Sequence, residues 1–158
     1  MGPTRKRDLT AATVIAAVIG YVLVLGLYRW FPPITMVTGL SLLAVAAVEA
    51  AWAFYIRSKV NDGKIGPGPG RLHPLAVARS VTIAKASAWV GALALGWWVG
   101  VLAYLIPRRG ALQVAGEDTA GALVAAASAL ALVIAALWLQ HCCKSPQDPP
   151  ENPDGVPE

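Results

Sequence analysis

Four long apolar stretches, parted by proline and glycine, constrain this chain more than any other feature. They run approximately Leu9–Tyr28, Ile34–Ile56, Val77–Ile106 and Thr119–His141. A bilayer core of about 30 Å takes about 20 helical residues to cross, and each stretch reaches that length. Their Ala, Leu, Val and Gly content lacks the two-residue alternation of a barrel strand, so the backbone must satisfy itself within helices. The expected fold class is therefore all-α, a polytopic membrane protein with four transmembrane helices. Composition agrees: 56% of the 158 residues are hydrophobic and 14% charged, against about 25% charged in soluble domains.

The breaks have local causes. Pro32-Pro33 stops the first helix. Asn61-Asp62-Gly63 and the GPGPG run from Gly66 to Gly70 make the longest connection. Pro107 ends the third helix, and Gly110 and Gly116 are expected to keep the next loop irregular. Glu117, Asp118 and Thr119 suit the cap and first turn of the fourth. Arg5-Lys6-Arg7 imitates a signal-peptide start, but the apolar run behind it is too long and lacks a small-residue cleavage site, so a retained helix is expected. The organisation reads as a basic N-terminus (1–8), a four-helix domain (9–143) and a Pro-rich acidic tail (144–158) too polar to pack.

Basic residues set the expected direction. One side would hold Arg5, Lys6, Arg7, Arg57, Lys59, Lys64, Arg71, Arg79 and Lys144; the other would hold Arg29, Arg108 and Arg109. The positive-inside rule then makes both termini and the central loop cytoplasmic. Within that loop Arg57, Lys59, Lys64, Arg71 and Arg79 form a basic surface suited to anionic headgroups. This distribution is topogenic and argues against a nucleic-acid partner.

Two charges interrupt the apolar stretches. Glu49 lies eight residues before Arg57, about 12 Å deep, and Lys85 six residues after Arg79, about 9 Å deep. Near-equal depth on consecutive antiparallel helices suggests a Glu49–Lys85 pair that fixes their register. Snorkelling of Lys85, a neutral Glu49, or a proton or substrate site at Glu49 are the rival readings. Trp52 and Trp89 are expected to pack in the core. Ser80, Ala84, Ser87 and Gly91 form a ridge of small side chains on the third helix, and Gly96 and Gly100 make a GxxxG beyond it. Such ridges serve close packing within a chain or between copies.

Catalytic signatures are missing. GPGPGRLHP lacks the G-K-[ST] ending of a phosphate loop. His141-Cys142-Cys143 offers too few ligands for a closed zinc site, and adjacent cysteines without another thiol exclude a disulfide framework within the chain. No catalytic residue, cofactor or metal is expected.

GRLHPLAVARSVTIAKASAWVGAL, the opening MGPTRKRDLTAA and the YRWFPP turn together resemble a family of small actinobacterial four-span membrane proteins, known only as a domain of unknown function. The likeness runs from Thr4 to about Cys143. It implies a membrane location and transfers no functional residue. The expected role is an interaction or accessory subunit of a membrane complex, or a homo-oligomer, with lipids and membrane proteins as partners. A small proton-coupled transporter using Glu49 is the alternative, and a lipid-associated scaffold a second.

Overall fold

The computed structural model describes residues 5–30, 32, 34–108, 110 and 113–143. Expectations for Phe31, Pro33, Arg109, Lys144, the side chain of Glu117 and the tail lie outside the described residues. The described chain is all-helical: α1 (Lys6–Leu27), α2 (Leu40–Asn61), α3 (Pro74–Leu105) and α4 (Gln113–Cys142), with short 3-10 turns at Tyr28–Trp30, Met36–Gly39 and Ile106–Arg108. Each of the four helices lies in or contains a segment long and apolar enough to cross a membrane.

Several boundaries differ from expectation. Residues 34–39 are not α-helix: Thr35 is extended, at φ −88° and ψ 157°, and a 3-10 turn follows it. Helix α4 begins six residues early, so Gly116 sits in helix and the loop it was to loosen is shorter. Helix α3 starts at Pro74, where the fixed φ of proline suits a first turn, and the His73 ring accepts the Leu75 amide at 3.2 Å. Gly63 takes the left-handed conformation (φ 63°) that closes α2, and the Lys64 amide returns to the Lys59 carbonyl at 3.0 Å.

The helices alternate in direction but do not pack in chain order. Helix α1 lies on α3, α3 on α4, and α4 on α2, so the row runs α1–α3–α4–α2. Helices α2 and α3, joined by the central loop, barely touch. Small residues set this order. A Cβ on Gly96 would strike the Thr13 carbonyl, and one on Gly100 the Ala17 carbonyl, so α1 and α3 run in backbone contact. A Cβ on Gly91 would lie 2.8 Å from Val133 on α4, and one on Gly39 only 2.5 Å from the Ala125 Cα. Ala122, Ala125, Ala129 and Ala136 on α4 are fully buried.

Burial follows the row. In their most apolar stretches α3 and α4 bury 39% and 44% of residues, α1 and α2 only 17% and 22%. The outer surfaces carry exposed Val14, Ile15, Val18, Val48, Phe54 and Ile83. Trp52 and Trp89, expected in the core, are 41% and 40% exposed. The clusters of buried side chains are spaced along the helix axes. Val101, Leu102, Leu105, Val24 and Ala122 fill the end bearing the Met36–Gly39 turn. Ala53, Ile56, Ala84, Leu139 and Cys142 fill the end bearing the central loop.

Candidate functional site

Glu49 is 6% exposed on α2, with both carboxyl oxygens buried and accepting no hydrogen bond. The hydroxyl of Ser87 on α3 lies near the carboxyl without reaching hydrogen-bonding geometry. A cleft of about 210 Å³ lies beside it, lined by Val48, Glu49, Trp52, Ser80, Ile83 and Leu139. Because the oxygens are buried, the glutamate lines the cleft with its stem.

The hydrogen-bonded Glu49–Lys85 pair is therefore not formed, and the packing order explains why. Gly39 meets Ala125, so ten residues on Glu49 is level with Ala135; Gly91 meets Val133, so six residues back Lys85 is level with Leu139. The four-residue difference is about 6 Å along α4, and α4 holds α2 and α3 apart over most of their length. Lys85 is half-buried and has interactions of its own. It also lies twenty residues before Leu105 on α3, about 30 Å, a full hydrocarbon thickness from the far end. The parallel register of α1, with Thr13 beside Gly96, puts Lys6 level with Trp89, about one turn from Lys85. Lys85 thus lies within about one turn of the level of the basic N-terminus.

The ridge on α3 divides its roles. Ser80 Oγ receives the Trp52 indole at 2.9 Å and donates to the Ala76 carbonyl at 2.8 Å, making the polar tie between α2 and α3. Ala84 is fully buried, and its carbonyl accepts Gln140 Nε2 from α4 at 3.3 Å. Ser87 faces Glu49, and Gly91 meets Val133. Gly96 and Gly100 are used inside the chain, against α1.

The basic loop is built on its own backbone. Leu72 donates to the Lys64 carbonyl at 2.8 Å and Gly66 to the Leu72 carbonyl at 3.1 Å. Lys59 Nζ donates to the Gly70 carbonyl at 3.1 Å, and Lys64 pairs with Asp62 at 3.2 Å. Arg57, Arg71 and Arg79 are exposed. Beyond the end of α4, burial and then the neighbouring Cys142 push the Cys143 thiol up to about 11, so it stays protonated and a weak nucleophile at neutral pH.

Two features escaped the sequence reading. Asp118, taken for a helix-start residue, is 6% exposed inside α4. Its Oδ2 accepts the Tyr28 hydroxyl at 2.9 Å and its Oδ1 the Ile34 amide at 3.0 Å. Beside it Tyr28 meets Tyr104 at 5.3 Å, and the Arg108 guanidinium lies 4.1 Å from the Tyr104 ring centre. The buried alanine stripe of α4 was visible in the sequence as Ala122, Ala125, Ala129 and Ala136, spaced by threes, fours and sevens.

No group of three or more His, Cys, Asp or Glu residues capable of holding a metal occurs among the described residues. The architecture defines a class: an all-helical chain with four helices long and apolar enough to cross a membrane. Within that class, the family described as protein of unknown function (DUF3180) matches residues 9–147, and the chain belongs to this family. No curated protein and no solved structure matches it.

Proposed function

We propose that the chain is a multi-pass protein of the bacterial plasma membrane with both termini cytoplasmic, serving as an accessory subunit that assembles laterally with a membrane protein or with further copies of itself. The reading assigns it no reaction. The observation that carries it is the open row of helices: α1 and α2 each pack mainly on one neighbour and leave wide apolar flanks. Chemical crosslinking in native membranes, followed by purification in mild detergent, tests it. A defined stoichiometric complex is expected; a lone monomer in both experiments overturns it.

Glu49 favours a second reading, proton-coupled transport. An unpartnered buried polar group costs about 1–3 kcal/mol, and proteins keep such costs mainly at functional sites. Glu49→Leu, which removes the polar group while filling its space, is expected to leave the thermal midpoint unchanged or raise it. A fall of several degrees would mean that the carboxyl is structural. In proteoliposomes, gradient-driven flux lost in Glu49→Gln would place transport ahead of assembly as the function.

A further inference from the structure

We infer that a cleft between α1, α3 and α4 binds a single anionic phospholipid, one acyl chain in the cleft and the phosphate on Lys6. The inference rests on the membrane location proposed above and not on lateral assembly.

The cleft has a volume of about 400 Å³ and is lined by Lys6, Thr10, Thr13, Leu95, Val133 and Leu137 among others. Its wall is apolar despite two threonines, because their hydroxyls are already used. Thr10 Oγ1 donates to the Arg7 carbonyl and Thr13 Oγ1 to the Leu9 carbonyl, both at 2.9 Å. Backbone contact between α1 and α3 holds one side of the cleft open at a fixed spacing, since Gly96 lies against Thr13. Ala92, buried on α3, also lines it. A chain of methylene groups suits such a wall, as it offers no polar atom that would need a partner.

Charge identifies the occupant. Lys6 is the one charged residue among those described in the lining. It stands in the first turn of α1, where the apolar span begins, and exposed Arg5 and Arg7 flank it. Asp8, the nearby acid, is exposed and does not line the cleft. An ammonium at the rim of an apolar slot matches a lipid carrying negative charge at headgroup level and hydrocarbon below. A zwitterionic lipid would satisfy the slot but gain less from Lys6. A single basic residue near the membrane surface favours anionic lipid by about five-fold.

The full chain, delipidated and titrated with phosphatidylglycerol or phosphatidylcholine in detergent, can be read by native mass spectrometry. Phosphatidylglycerol is expected to bind at one site, more tightly than phosphatidylcholine. Lys6→Gln should weaken the phosphatidylglycerol complex about five-fold and leave the phosphatidylcholine complex unchanged. Thr10→Trp, which fills the slot from an exposed position, should remove both. Arg71→Gln, in the central loop, should change neither. Equal binding by wild type and Lys6→Gln overturns the inference, as does lipid retention in Thr10→Trp. A dimer that excludes lipid from this face would overturn it too, while leaving lateral assembly intact. Unchanged helical circular dichroism in both variants shows that a loss is not unfolding.

Discussion

Gly100→Leu is expected to separate α1 from α3 and leave little folded protein in mild detergent. A Cβ at this position would strike the Ala17 carbonyl and lie 2.8 Å from the Tyr21 amide nitrogen. Both obstacles are backbone, so no rotamer change relieves the contact and the helices must move apart. Overpacking against yielding side chains costs about 1–3 kcal/mol, and a backbone obstacle should cost about 3 kcal/mol or more. Helix α1 has little else to hold it, since it packs on α3 alone over most of its length. Gly26→Ala supplies the comparison. That glycine is in α1, across the seam from Gly100, and a Cβ there meets nothing within 4 Å. Its replacement should be neutral, or stabilising by up to about 1 kcal/mol through helix propensity. Thermal unfolding followed by circular dichroism separates the two. Equal midpoints for Gly100→Leu and wild type would mean that the α1–α3 seam is not close-packed.

That seam also shows where sequence reasoning succeeds and where it stops. The four helices were legible because hydropathy and the breaks at Pro32, Gly63 and Pro107 are local signals. The GxxxG at Gly96 and Gly100 was legible as a packing surface but not as to partner, because a small-residue ridge fits any helix that can approach it. Chain order pointed to α2 as the neighbour of α3. The alanine stripe on α4 is what draws α3 and α2 to its two sides, and it reads as ordinary apolar composition until the helices are laid against one another. Depth arithmetic for Glu49 and Lys85 began from Arg57 and Arg79 as if each marked one flat surface. Helix α3 has 32 residues, about 48 Å, so Arg79 need not mark the hydrocarbon boundary. Glu49 is buried without a hydrogen-bond partner, while Lys85 stands near the level of Lys6.

Asp118→Ala should lower stability by about 3 kcal/mol, by releasing the end of the row away from the central loop. The carboxylate joins the end of α1, the segment before α2, and α4 through direct hydrogen bonds, from Tyr28 and from the Ile34 amide. Removing it leaves a phenol and a backbone amide without their acceptor. Each orphaned group costs about 1–3 kcal/mol where water cannot replace the partner, and with the phenol half-buried the two together come to about 3 kcal/mol. Gly121, one turn on from Asp118 on the same face of α4, lets that segment lie close: a Cβ there would lie 2.6 Å from the Ile34 carbonyl. Asp118→Asn should be milder, since its carbonyl still accepts the Ile34 amide while its amino group turns the Tyr28 oxygen into an acceptor. Tyr28→Phe isolates the other arm and should cost about 1 kcal/mol. In a double-mutant cycle Asp118→Ala and Tyr28→Phe should be non-additive by a similar amount, because the second change removes a donor already stranded by the first. Additive losses would show that the phenol and the carboxylate stabilise the fold independently, and the latch would then reduce to the Asp118–Ile34 bond alone.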